Sequence, residues 1–231
     1  MAEIKVLSGG APQRAFETLA PGFERDTGYR LDFTFAVLSV LQERIAAGEA
    51  ADVLIQPTYV LDGYETSGVA LTAHRAVLGL VGIQAVVRTG APLPDLSTPE
   101  TVKQAMLASR AIALATPGVT PSGTHMAKVI DQLGITEAMK GKVIHRPALQ
   151  GGVQLVASGE ADIGFYPKSE VINIDGLTLA GPLPAAIQLT TIYGAAVAAN
   201  SAARDAAAAF IGYVTDPRNR DAWTQAGFDK P

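Results

Sequence analysis

The feature that most constrains this chain is a strand running into a small-residue turn and then a helix. An apolar run, Ala111-Ile112-Ala113-Leu114-Ala115, reads as a buried strand, and the turn Gly118-Val119-Thr120-Pro121-Ser122-Gly123-Thr124 follows it. From Thr124 to Leu133 apolar residues recur at helical spacing, and Gly134 ends the run. A helix that starts this way leaves several backbone N–H groups without intrahelical partners and carries about half a positive charge there. Such a start is a ready site for an oxyanion.

The same device recurs along the chain. Ile4–Leu7 reads as a first strand, Ser8-Gly9-Gly10 as a turn, and Ala11–Thr27 as a helix with Phe16, Leu19 and Phe23 on one face. Leu31–Phe35 reads as a second strand. Ala36-Val37-Leu38-Ser39 turns into a helix that runs to about Ala47, and Ala51–Ile55 is a third strand. This rhythm predicts an α/β fold, with a mostly parallel sheet flanked by helices. Farther on, a helix is predicted from Thr98-Pro99-Glu100, a strand at Lys142–His145 and a helix at Gly151–Ser158. Two long β-prone stretches, Leu78–Arg88 and Gln188–Ala199, are expected to carry the chain out of a first lobe and back. The expected division is 1–82 plus 194–231 for lobe I and 83–193 for lobe II, with a hinged ligand cleft between them. No repeat period is visible.

With 231 residues, two modest domains can each bury a core. A net charge of -4 disfavours nucleic acid or an anionic membrane as a general partner, while local backbone dipoles still allow a small anion. The chain has no cysteine, which excludes disulfides and thiolate metal sites, and its three histidines, His74, His125 and His145, are too scattered for a metal cluster. No apolar run approaches the roughly 20 residues of a membrane span, so direct membrane insertion is not expected. No nucleophile elbow, nucleotide-phosphate loop or dinucleotide fingerprint is present, and no cofactor is implied. The first strand follows Met1 almost at once. A periplasmic location is expected if a leader was removed, and a cytoplasmic one if Met1 is the native start.

The order of these pieces resembles the type 2 periplasmic solute-binding proteins, and within them the molybdate-binding branch. The resemblance is carried by Phe23-Glu24-Arg25-Asp26-Thr27-Gly28-Tyr29, by Ile45-Ala46-Ala47-Gly48-Glu49-Ala50-Ala51-Asp52-Val53, by Val156-Ala157-Ser158-Gly159-Glu160-Ala161-Asp162-Ile163-Gly164-Phe165, and by the closing helices within Ala206–Phe228. It covers essentially the whole chain. It implies a two-lobed fold, a small anionic ligand, and a membrane subunit of an ABC transporter as partner. It also implies ligand contacts from four loops at helix starts: Ser8-Gly9-Gly10, then Ala36 to Ser39, then Pro121-Ser122-Gly123-Thr124, then Gln150-Gly151 with Tyr166. The second loop departs from the family in having Ala36-Val37-Leu38 where small hydroxyl residues are usual. That change removes donors and adds apolar surface, which favours an organic carboxylate over a tetraoxyanion such as molybdate.

Other residues carry two readings each. Arg14, in the first turns of the first helix, is a candidate bidentate partner for a ligand carboxylate or a solvated surface arginine. Tyr166 is a phenolic donor or a core tyrosine. Asp52 and Asp162 read as carboxylates that cap turns. Some proteins similar to this family isomerise small unsaturated tricarboxylates such as aconitate. On that alternative reading His125, Tyr166 or a carboxylate moves the proton.

Overall fold

The structure is a computed structural model that describes residues 3–147 and 149–230, with the side chains of 149–151 outside the described set. The chain divides into two compact units, Met1–Val81 with Thr191–Pro231, and Gly82–Thr190. The first unit opens with β1 (Glu3–Gly9), α1 (Gln13–Thr27), β2 (Arg30–Ala36), α2 (Leu38–Ala46), β3 (Val53–Pro57), α3 (Thr58–Thr66) and the first part of β4 (Ala70–Arg88). β4 takes the chain into the second unit, made of α4 (Pro99–Ala108), β5 (Ile112–Ala115), α5 (Pro121–Gln132), α6 (Thr136–Met139), β6 (Val143–Arg146), α7 (Leu149–Ser158), β7 (Ile163–Pro167), α8 (Lys168–Val171) and β8 (Leu177–Pro182). β9 (Thr190–Ala198), α9 (Arg204–Thr215) and α10 (Arg220–Gln225) complete the first unit.

In the first unit β1 lies between β2 and β3 and pairs with both in parallel. β9 then runs antiparallel along the other side of β3. In the second unit β5 lies between β6 and β7, again parallel to both, while β4 runs antiparallel to β7 and to β8. The order β2-β1-β3 is thus repeated as β6-β5-β7, a repeat of topology without a fixed sequence period. The sequence trace is short. Gly48-Glu49-Ala50-Ala51-Asp52 answers to Gly159-Glu160-Ala161-Asp162, and each aspartate is followed five residues later by a proline, Pro57 or Pro167.

The two aspartates show why that trace exists. The Asp52 amide donates to the Lys5 carbonyl at 2.8 Å, and the Lys5 amide donates back to the Asp52 carboxylate at 2.9 Å. Ser201 adds a hydroxyl donor at 2.6 Å. The Asp162 amide donates to the Ala111 carbonyl at 2.9 Å, and the Arg110 amide donates to its carboxylate at 2.6 Å. Each carboxylate therefore fixes the entry of a third strand against the central one. The Arg110 guanidinium also bonds Asp162 and, together with the Arg110 and Ala111 amides, holds its carboxyl below the usual range.

The cores differ in composition. The first unit packs Phe16, Phe23, Phe210, Trp223 and Phe228 between α1, α9, α10 and the sheet, with Phe16 and Trp223 edge-to-face at 5.4 Å. The Trp223 indole donates to the Val214 carbonyl at 2.8 Å, so its one polar atom is satisfied. The second unit uses aliphatic residues and methionine, among them Val102, Met106, Met126, Val129 and Met139.

Several boundaries move from their expected places. Ser8 and Gly9 finish β1 and are not a turn. α5 begins at Pro121 and not at Thr124, because the Thr120 hydroxyl accepts from the Gly123 amide at 3.1 Å and caps the helix early. β4 starts at Ala70, well before Leu78, and α6, α8 and β8 were not anticipated.

Replacing Asp52 by alanine strands the part-buried Lys5 amide and the Ser201 hydroxyl, and should cost about 2–3 kcal/mol in urea unfolding. Asp162→Ala should cost less, about 1 kcal/mol, because its Arg110 partner is 77% exposed and solvent can replace it. Equal losses would contradict this assignment.

Candidate functional site

Parallel strands that share an order end at a common edge, and crossover helices begin there. In the first unit that edge carries Ser8 and Gly9 at the end of β1, Ala36 at the end of β2, and Gln56-Pro57 at the end of β3. Register aligns them: Gly9 faces Ala36, Ser8 faces Ile55, and Gln56 faces Gly194 of β9. Ser8 is fully buried, and its hydroxyl donates to the Gly9 carbonyl at 2.9 Å. Gly10 is exposed and its carbonyl accepts from the Gln13 amide, which tightens the entry to α1. Arg14 is half-buried in the first turn of that helix.

Neither α1 nor α2 has a side-chain cap, since Pro12 and Val37 occupy the capping positions. The first-turn amides of α2 therefore open beside Ala36, Val37 and Leu38, all half-buried, with Ser39 exposed. Gln56 is fully buried, and neither its amide nitrogen nor its amide oxygen has a hydrogen-bond partner.

In the second unit the equivalent edge carries Ala115 at the end of β5, Arg146 at the end of β6 and Tyr166-Pro167 at the end of β7. α5 starts there with Pro121 at its first position and Ser122 and Gly123 buried. The Thr124 hydroxyl accepts from the Gly118 amide at 2.9 Å and donates to the Thr120 carbonyl at 3.1 Å, while Ser122 and Thr120 share a hydroxyl contact at 3.2 Å. A Cβ at position 123 would lie 2.7 Å from the carbonyl oxygens of Ala115 and Thr116, so only glycine lets α5 start this close to its strand. Gln150 and Gly151 fall in the first turn of α7, and their side-chain positions lie outside the described residues.

Tyr166 is 1% exposed and its hydroxyl has no partner. The hydroxyl sits against Gly152 in the first turn of α7, where any side chain would strike it. Burial raises the Tyr166 phenol, and the neighbouring Glu170 raises it further while Arg146 opposes. Burial pushes the Glu170 carboxyl up to about 7. Ser169, beside it, is buried with an unpaired hydroxyl. The second edge thus gathers a phenol, a hydroxyl and a carboxyl poised near neutrality.

His125 follows in the second turn of α5. Its Nε2 bonds the Ile187 carbonyl at 2.8 Å, so that nitrogen carries the proton and is held by the fold. His145 is exposed, with a 3.3 Å contact from Nδ1 to the Ala115 carbonyl. Sequence reasoning missed Gln56 and Glu170. Gln56 could have been found from its spacing, because it precedes Pro57 as Tyr166 precedes Pro167. Glu170 had no sequence signal, since only burial makes it unusual. Among the described residues no group of histidines, aspartates or glutamates gathers to hold a metal ion, and no helix is long and apolar enough to cross a membrane.

Residues 4–229 match the family described as bacterial extracellular solute-binding protein. The chain is 30% identical over 217 residues to an aconitate isomerase from a Pseudomonas species, covering 91% of this chain and 81% of that protein. It is 25% identical over 178 residues to the molybdate-binding protein of Azotobacter vinelandii, covering 77% of this chain and 69% of that one. Its fold is similar to the substrate-binding domain of a molybdenum ABC transporter from Clostridium difficile, with a TM-score of 0.81 at 16% identity and full coverage of both chains. The match along nearly the whole chain is decisive: this chain belongs to the bacterial extracellular solute-binding proteins, and it shares the type 2 periplasmic-binding fold of the molybdate-binding proteins.

Proposed function

We propose that the chain binds a small anion, an organic carboxylate in preference to a tetraoxyanion, as the substrate-binding component of an ABC-type transporter or of a sensor. The proposed contacts are drawn from the carboxyl edge of each unit's sheet. The observation that carries it is the start of α2. Its amides lack a side-chain cap and are flanked by Ala36, Val37 and Leu38. Open amides suit an oxyanion, and apolar flanks suit a ligand with a carbon skeleton. Ser8, Gly9, Gly10, Arg14 and Ser39 are the first unit's proposed contacts. Pro121, Ser122, Gly123, Thr124, Gln150, Gly151 and Tyr166 are those of the second. Because Thr120 already engages the Gly123 amide, α5 offers fewer open donors than α2.

A second reading, isomerisation of a small unsaturated tricarboxylate, is favoured by Glu170. A carboxyl near 7 can give and take a proton at neutral pH, and it lies beside a buried phenol. The aconitate isomerase relative is consistent with that chemistry. Proton NMR of the protein with cis- and trans-aconitate separates the readings, since a binding protein leaves both unchanged over hours and an isomerase interconverts them.

A thermal-shift series with molybdate, tungstate, sulfate, phosphate, citrate and aconitate tests the ligand class. At about 100 times its dissociation constant a true ligand adds about 2.7 kcal/mol of stability. The carboxylates should raise the melting temperature more than the tetraoxyanions do. A response to tetraoxyanions alone would overturn the preference, and no response to any anion would overturn the site.

Glu170 gives a pH signature. Raising the pH through about 7 ionises it and places a negative charge by Tyr166. Anion affinity should therefore fall with rising pH in the wild type relative to Glu170→Gln, the ratio cancelling any titration of the ligand itself. A constant ratio between pH 6 and 8 in calorimetric titrations would place the ligand away from Tyr166.

A further inference from the structure

Among the described residues at the carboxyl edge of the first unit, Gln56 is the one side chain whose donor and acceptor are both left without a partner. Strand alternation places it on the face of Leu54, which packs with Leu7, Leu41 and Leu61 toward α2 and α3. Val53 and Ile55 face the other way, into the aromatic core. Tyr166 holds the same position in the second unit. It shares a face with Val153 and Val156 of α7, while Ile163 and Phe165 point oppositely. Both residues precede a proline, both are buried, and both have polar atoms without partners. An unpaired buried amide opposes folding, and removing it is normally neutral or stabilising. A chain that keeps one at the end of a central parallel strand, beside an uncapped helix, has a reason outside its own packing.

We propose that Gln56 is a specificity-determining residue that pairs with a hydroxylated organic anion, such as a hydroxycarboxylate. This rests on the small-anion reading above and narrows it. A carboxamide presents a donor and an acceptor side by side. A fully deprotonated tetraoxyanion such as molybdate or sulfate offers acceptors only, so it would leave the Gln56 oxygen unpaired. A carboxylate next to a hydroxyl offers both partners, with its oxygen accepting from Nε2 and its O–H donating to Oε1. Because the amide has no exposed surface in this state, the ligand reaches it by opening the packing above it.

The test uses pairs of acids that differ by one hydroxyl: malate with succinate, and citrate with tricarballylate. Calorimetric titration of the full chain should show the wild type preferring the hydroxylated member of at least one pair by about tenfold. Gln56→Met, of similar size and without polar groups, should bind both members alike, and should melt no lower than the wild type without ligand. Retention of the preference in Gln56→Met would overturn the proposal. So would a clear drop in its ligand-free melting temperature, which would mean the amide is satisfied within the protein. A wild type that binds sulfate or molybdate but shows no hydroxyl preference overturns this inference alone. A wild type that binds none of these anions overturns the small-anion reading together with it.

Discussion

Parallel pairing is the constraint from which the rest follows. Two parallel neighbours cannot be joined by a tight turn, so each connection must return the chain across the sheet, here as a helix. All such helices begin at the edge where the strands end. In this chain the arrangement occurs twice, as β2-β1-β3 and β6-β5-β7, and each copy is closed by an antiparallel strand, β9 or β4. Strand ends and helix starts are thereby gathered on one edge of each sheet without any residue being selected for that purpose. What selection can act on is how those ends are finished.

They are finished differently. α4 has a full capping box in which Thr98 and Thr101 satisfy each other's amides, as a helix with no other duty would. α5 is capped by Thr120, with Thr124 tying down the preceding loop. α1 and α2 carry proline and valine where a hydroxyl would be expected. α3, α6, α8, α9 and α10 also start without a side-chain cap, so what marks α1 and α2 is an open start placed directly after the ends of parallel strands β1 and β2. The buried polar atoms of Gln56, Tyr166 and Ser169 sit at the same edges.

Much of this was legible in the sequence, for identifiable reasons. The strands β1, β3, β5 and β7 are short apolar runs ended by glycine, proline or a small-residue turn, and their positions were readable to within a few residues. The repeated Gly-Glu-Ala-Asp pieces marked the entry to β3 and β7 because each aspartate must reach back to the central strand. Helix starts were less legible, since a threonine that caps from Thr120 and a serine that merely follows it at Ser122 look alike in sequence. The repeat was hidden because the inserted α6 and the differing connections destroy any fixed period, leaving only the spacing from aspartate to proline. Glu170 was invisible, because nothing but its surroundings sets it apart from the other glutamates.

The central claim is that a small anion is held by the open amides where crossover helices begin. Hydrogen exchange of backbone amides, followed with and without a saturating ligand from the anion screen, addresses it most directly. The account predicts that slowed exchange concentrates in residues 38–40 of α2 and in the first turns of α1 and α5, with the first turn of α4 unchanged. Protection spread evenly over both cores, or confined to segments away from the strand ends, would contradict it.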